Sequence, residues 1–409
     1  MTQRTLYKTI EKVASAEFTT DEDMLIAVLK EIVTHNDISI IGGRIWKLQP
    51  EERSYELIYE EGAVDLVGVG FKITIDDYDL IEKLAKRRTV LADETNTILR
   101  SKGIMKYSAT GIGSTTRIGS LDCYEYIMAL NASETDPEFP YALNIAGQAV
   151  THMLAKRRSE AEKRTLLTEL EHAAALQRQI LPEHEQQFGR YELYGISIPD
   201  RTVGGDFFNY YTFPSDSGRL GVAIGDAASK GLAAAVQALF VAGALMMSVE
   251  YESKISTAIR RINTINMRMF PNDRILTLFY CELFDVGEGL LLYANAGHSR
   301  PIHYHASDGH CTMLRSTGPI IGLLKDAVFH VSSDTLKPDD LLVLYTDGIT
   351  EADDGNEEYG ERRLVEFIRT HASLAPKDLC REILQDVQTF NAAGKYSDDK
   401  TLVVVKRIR

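Results

Sequence analysis

Cysteine is scarce and scattered: Cys123, Cys281, Cys311 and Cys380 lie far apart, and no CxxC pair occurs. That spacing excludes a disulfide framework and a cysteine zinc site, and it fits buried free thiols in a reducing compartment. Basic clusters are equally few. A formal net charge of −14 with scattered Lys and Arg offers no basic face for a phosphate backbone, which argues against general nucleic-acid binding. Two short basic runs, Lys86–Arg88 and Lys156–Arg158, read as solvated helix ends. No internal repeat or low-complexity tract is present. The first residues, MTQRTLYKTIEK, hold no apolar signal-peptide core, so a cytoplasmic protein is expected. Only one apolar run is long: GLAAAVQALFVAGALMMSV, Gly231 to Val249, close to the roughly 20 residues that span a bilayer. Its alanines, Gln237 and polar flanks favour a buried core helix over a membrane span.

What is there is an ordinary globular composition, 44% hydrophobic and 25% charged over 409 residues, enough for two or three domains. Residues 20–152 read as one α/β unit. DEDMLIAVLKEIVTH has helical spacing with acidic residues in its first turn, and SIIGGRIWKL and SYELIYEEG alternate like paired strands around a QPEER turn. PEFPYALNIAGQAVTHMLAKRR closes the unit as a helix. From Met153 the helical pattern runs on to Leu181, where Pro182 stops it. Within it Leu166, Leu170, Ala173, Gln177 and Ile180 recur at the coiled-coil period; the alternatives are a paired signalling helix and one amphipathic helix packed on its own chain. Beyond Pro182, strands separated by Gly- and Asp-rich turns predominate, DVGEG marking a hairpin. Two long helical segments, about Gly231–Met269 and Glu361–Ala392, interrupt them. An α+β sandwich is predicted.

Four aspartates share a setting in this half. Asp206 follows Val203-Gly204-Gly205 on an apolar strand, where a carboxylate is costly without a positive partner. The glycines remove side chains where another group must come close. Asp226 closes one apolar strand and Asp347 another, and Asp398 and Asp399 stand just before a third. Converging carboxylates repel unless a cation holds them. Oxygen donors without His or Cys suit Mg²⁺ or Mn²⁺, and two such ions roughly 3.5–4 Å apart form a clamp for in-line phosphoryl displacement by an activated water. The bland alternative for each is a turn aspartate beside a glycine.

The pieces QRQILP, PDRTVGGDFFNYY, GDAASKGLAAAV, YANAGHSRPIHY, STGPIIGLL, LLVLYTDGITEADDGNEEYGERRL and SDDKTLVVV come in the order of a known family. From about Ala175 to Arg409 the chain resembles the metal-dependent PPM (PP2C-like) protein serine/threonine phosphatases, in particular the bacterial SpoIIE/RsbU-like branch. The resemblance implies a sandwich of two antiparallel sheets flanked by helices, an α-β-β-α architecture with a metal cleft at one end. It implies that Asp206, Asp226, the backbone carbonyl of Ala227, Asp347 and Asp398 hold two divalent cations, Mn²⁺ or Mg²⁺, with Asp398 preferred to Asp399. The substrate implied is phosphoserine or phosphothreonine on a partner protein, a STAS-type anti-sigma-factor antagonist. DAASKG departs from the family's glycine-rich turn, and it lacks the histidine that serves animal-type relatives as general acid. Arg201 matches a basic family position and could contact the phosphoryl group, or form a surface ion pair. His298 reads as a structural turn residue. His303 and His305 alternate on a strand, and a solvated edge is expected there rather than a metal pair.

The N-terminal region resembles a GAF domain in layout and in the fragment GIGSTTRIGSLDCYEYIMALNA, which implies a small-molecule ligand or a dimerisation role; Cys123 reads as a buried thiol. The expected organisation is thus residues 1–152 GAF-like, 153–185 a linker helix forming the coiled coil of a homodimer, and 186–409 phosphatase, with the first regulating the last through the helix. Two other readings stand beside it. A pseudophosphatase would bind a phosphoprotein without turnover. GGDFF also resembles the GGDEF signature of diguanylate cyclases, which needs a glutamate where Phe207 stands.

Overall fold

The computed structural model describes residues 13, 16, 18–34, 40–63, 65–76, 78–102, 104–132, 139–270, 275–391 and 398–408. The stretch read for a signal peptide, residues 1–12, lies outside them, as does Ser397 of the SDDKTLVVV motif. The chain divides into two compact units, Met1–Thr165 and Leu166–Arg409.

The first unit contains α1 (Asp21–Thr34), β1 (Ile40–Gln49), β2 (Ser54–Gly62), β3 (Lys72–Thr74), α2 (Asp79–Arg87), β4 (Thr89–Asp93), α3 (Thr97–Ser101), β5 (Lys106–Ile118) and β6 (Leu121–Ala132). Its strands form one antiparallel sheet in the order β3-β2-β1-β6-β5-β4. The QPEER turn joins β1 to β2, with Arg53 in the left-handed region at φ 49°. The apolar stripe of α1, Leu25, Val28, Leu29 and Ile32, packs on one sheet face with Leu143 and Val150 of the following helix α4 (Phe139–Ile180). The other face buries Trp46, Tyr55 and Leu57 beneath Ile81 and Leu84 of α2, and Cys123 lies in this second core.

In the second unit the strands are β7 (Glu185–Phe188), β8 (Tyr191–Ile198), β9 (Phe207–Phe213), β10 (Asp216–Ala227), β11 (Leu276–Phe284), β12 (Leu290–Ala296), β13 (Ile302–His305), β14 (His310–Met313), β15 (Ser332–Thr335), β16 (Leu341–Tyr345) and β17 (Lys400–Arg407). They make two antiparallel sheets, β15-β12-β11-β10-β9 and β14-β13-β16-β17-β8-β7. Period-two alternation builds the layers: Leu220, Val222 and Ile224 of β10 face Leu342, Leu344, Val403 and Val405 of the other sheet, while Ala223 and Ala227 face outward. Onto that outer face pack α5 (Leu232–Glu250) and α6 (Ile255–Met269). The opposite face is covered by α8 (Gly360–His371) and α9 (Pro376–Phe390), which follow the one-turn helix α7 (Asp347–Thr350). The result is the α-β-β-α sandwich of the predicted α+β class, and DVGEG turns β11 into β12.

Each long helical segment read from the sequence is in fact a helix pair. Tyr251–Lys254 breaks the first, with Glu252 in the left-handed region at φ 48°. The second is broken ahead of Pro376, which lacks an N–H and disfavours helix in the residue before it. By length and composition α5 could cross a membrane. Here its Ala234, Ala238, Val241 and Leu245 are buried against the sheet, while Leu232, Val236, Met246 and Met247 are exposed. Small alanine side chains let this helix lie close to β9 and β10.

Candidate metal centre

Four strand ends meet at one edge of the sandwich. Asp206 stands immediately before β9, and the neighbouring β10 ends on Asp226 and Ala227. In the second sheet β16 ends at Tyr345, and Asp347 opens α7. Beside it β17 starts at Lys400, directly after Asp398 and Asp399. Each sheet therefore supplies two of the predicted carboxylates, aimed by paired strands.

Their electrostatics show that these groups sense one another. Burial, followed by the charge of Asp226, holds the Asp206 carboxyl well above the usual carboxylate range. Burial, then Asp347 and Asp398, push Asp226 up to about 7. Burial and Asp398 likewise raise Asp347. Carboxylates that raise one another are short of positive charge. An all-oxygen donor set suits Mg²⁺ or Mn²⁺ rather than zinc. The Ser229 hydroxyl, enclosed beside them without a hydrogen-bond partner among the described residues, is a further polar group left for a ligand or its water. The residues present fit a divalent cation.

A narrow pocket is lined by Asp200, Arg201, Asp226, Ala227, Lys230 and Asp398. Arg201 is exposed there, and Lys230 Nζ lies 3.3 Å from Asp398 Oδ2. The two adjacent aspartates have separate tasks. Asp399 Oδ2 accepts from the backbone N–H groups of Gly205 (2.6 Å) and Asp206 (3.3 Å), and its Oδ1 from that of Asp200 (2.8 Å). Asp399 thus staples the loop that carries Asp206 while its charge also bears on Asp206 and Asp226; Asp398 acts more strongly on Asp226 and also raises Asp347. Both glycines of that loop are sterically required. A Cβ on Gly204 would come 2.6 Å from Asp399 Oδ2, and one on Gly205 would come 2.9 Å from the Ala227 carbonyl oxygen.

Sequence reasoning missed two supports. The fully buried Thr346 donates its hydroxyl to Asp206 Oδ2 at 2.6 Å and accepts from the Thr401 N–H at 3.0 Å. Its only sequence signal was its place before Asp347 in LYTDG. The buried Gln177 donates Nε2 to the Gly204 carbonyl at 2.8 Å and accepts from the Gly204 N–H at 3.4 Å. Beside it Ala173 and Ala174 pack against Val203 and Ala235. In the heptad seam read from the sequence, Ala173 and Gln177 therefore face their own chain, while Leu166 and Ile180 are exposed.

The three histidines singled out in the sequence bond to groups other than the four aspartates. His298 is buried in a turn, its Nδ1 2.8 Å from Thr277 Oγ1 and its N–H on Asn295 Oδ1 at 2.8 Å, and burial drives its pKa down to about 3. The expected solvated edge at His303 and His305 is not found: His303 is fully buried between Asp334 and Asp340. Period-two reading put it on a strand but could not see that its face turns into the space between the sheets.

Comparison with known proteins agrees with this fold. Residues 216–408 match the family model described as Stage II sporulation protein E (SpoIIE); Asp206 lies just upstream of the matched segment. Protein IcfG of Synechocystis sp. is 25% identical over 343 residues, covering 75% of this chain and 54% of the relative. Phosphoserine phosphatase RsbU of Bacillus subtilis is 26% identical over 243 residues, covering 59% and 70%. Phosphoserine phosphatase RsbP of the same organism is 26% identical over 207 residues, covering 50% and 49%. The chain thus spans about half the length of IcfG and of RsbP. Among solved structures, the SiaA-PP2C domain of Pseudomonas aeruginosa superposes with a TM-score of 0.51 at 18% identity, covering 60% of this chain and 98% of that domain, a likeness of fold. Residues 216–408 thus carry a PP2C-like phosphatase domain of the SpoIIE family, with RsbU and RsbP as homologues.

Proposed function

We propose that this protein removes phosphate from phosphoserine or phosphothreonine on a partner protein. The observation that carries this reading is the meeting of Asp206, Asp226, Asp347 and Asp398 at one edge of the sandwich, each raising the next. In it these four carboxylates and the Ala227 carbonyl hold two divalent cations, Mn²⁺ or Mg²⁺. When bound, such ions neutralise phosphoryl charge and supply a nucleophilic water at neutral pH. The chain's own residues do the rest. Thr346 and Asp399 fix the Asp206 carboxylate and its loop, and Arg201 at the pocket orients the phosphoryl oxygens by its planar fork. Lys230, beside Asp398, adds positive charge where the substrate's phosphate arrives.

The partner is a STAS-type anti-sigma-factor antagonist, a reading supported by the similarity to the phosphoserine phosphatases RsbU and RsbP. The N-terminal unit is a GAF-like sensor with a small-molecule ligand or a dimerising role, acting in a cytoplasmic homodimer through α4. The bonds from Gln177 to Gly204 support that route, because they join the end of α4 to the loop before Asp206.

The test is manganese-dependent phosphate release from a phosphorylated STAS-type protein. Asp226→Asn and Asp347→Asn should each lower turnover by at least ~100-fold with the circular-dichroism spectrum unchanged. Full activity in both variants would overturn the assignment.

A further inference from the structure

A second constellation lies at the other end of β16. Asp340 precedes that strand and Asp347 follows it, so the two ends are about 20 Å apart at the usual strand rise. On β13, His303 and His305 share a face through the two-residue period. Donor atoms of His303, His305 and Asp340 all lie within 4.8 Å of one another. Two of the three residues, His303 and Asp340, are buried, and His305 is partly so.

The geometry points to a transition-metal site of the zinc class, formed by His303, His305 and Asp340 with water as the remaining ligand, and separate from the aspartate centre. In a tetrahedral site with ligands at ~2.0–2.1 Å, neighbouring donors stand about 3.3 Å apart. His303 Nε2 and Asp340 Oδ2 are already 3.1 Å apart. His305 needs to close by at most about 1.5 Å to reach that spacing. It is the movable member, partly exposed and bonded through Nε2 to Thr312 Oγ1 at 3.0 Å. The other two are held in place. His303 Nδ1 is 2.8 Å from Asp334 Oδ2, the carboxylate–histidine support that orients a ligating imidazole. Asp340 accepts from the backbone N–H groups of Ala306 and Lys337, each at 2.8 Å. Two nitrogens and one carboxylate favour zinc, cobalt or nickel over Mg²⁺.

A proton could bridge His303 to its carboxylates instead. Burial opposes charge on His303, but Asp334 and Asp340 outweigh it and hold the pKa up at about 9. A proton alone, however, gives no reason for a second imidazole beside the first. The rings of His303 and His305 are 3.9 Å apart between centroids, and burial and the His303 charge disfavour protonation of His305. A metal ion uses both rings. It would also brace the two sheets, since His303 lies on β13 and Asp340 directly before β16 in one sheet, and Asp334, which holds His303, lies on β15 of the other.

The experiment is cobalt titration of the full chain in excess Mg²⁺, followed by visible absorption, with zinc added afterwards as competitor. One equivalent of Co²⁺ should give the intense absorption of a four-coordinate site, and zinc should abolish it. His305→Ala, chosen because His305 is partly exposed and its loss spares the fold, should remove the band. Asp334→Asn should weaken cobalt affinity by 10–100-fold. Asp226→Asn should leave the band unchanged. Absence of an intense band in the parent chain overturns the proposal. So does a band that survives His305→Ala, or one that is lost in Asp226→Asn.

Discussion

Asp398 and Asp399 are neighbours with the same side chain, and their surroundings give them opposite tasks. Asp399 spends its oxygens on three backbone N–H groups of the loop at Asp200, Gly205 and Asp206, so it is a structural staple. Asp206, Asp226 and Asp347 share the reverse condition, with pKa values above the ordinary carboxylate range. The sign of their effect on stability follows directly. Groups whose pKa is raised on folding stabilise the fold while protonated, and that contribution is lost as pH rises from about 4 through about 7. A divalent cation restores it by taking the protons' place. Manganese at about 100 times its dissociation constant should add roughly 2.7 kcal/mol, or about 5–10 °C in Tm, at pH 7.5. At pH 5 the shift should be clearly smaller, which differential scanning calorimetry of the full chain can read; equal shifts at both values would contradict the coupling. The four strand-end aspartates were legible in the sequence because an apolar run begins or ends beside each of them. The tasks of Asp399 and Thr346 were not, since they depend on backbone groups that only folding brings near. Gly205 and Asp399 are 194 positions apart.

The end of α4 shows a different limit on reading elements. A heptad seam states that a helix has an apolar stripe; it does not state whose surface the stripe meets. Here part of the stripe meets the chain's own loop, with Gln177 paired to the Gly204 backbone in the manner of a strand neighbour. Gln177, the polar member of that heptad pattern, is the one that fits a glycine-lined loop. Gln177→Ala should leave the buried Gly204 carbonyl unsatisfied, at a cost of about 1–3 kcal/mol. It should lower Tm by about 3–8 °C and raise the manganese concentration that gives half-maximal phosphatase activity. Leu176→Ala is the control, since Leu176 is 60% exposed on the same turn of helix. Identical behaviour of the two variants would remove Gln177 from the support of the metal centre. The split of each long helical segment into two was hidden for a related reason: helix-forming residues continue on both sides of each break, which falls at Tyr251–Lys254 in the first and just ahead of Pro376 in the second.

Across the whole molecule, α4 runs without interruption from Phe139 to Ile180, through the division between the two units at Thr165. A helix of that length can carry a change only while its backbone bonds are intact, so the proposed regulation is testable both by removing the first unit and by breaking the helix in the full chain. Deleting residues 1–150 should shift the half-saturating manganese concentration by a factor of about 5–150, the usual range of coupling between sites. Lys163→Pro in the full chain removes one backbone donor and forces a kink, costing about 3 kcal/mol locally, at an exposed position of α4. It should reproduce the deletion's manganese dependence, while Lys163→Ala should keep that of the parent. If the deletion, Lys163→Pro and the parent all share one manganese curve, α4 joins the units without coupling them. The proposed metal centre of the C-terminal unit would then fill independently of the N-terminal unit.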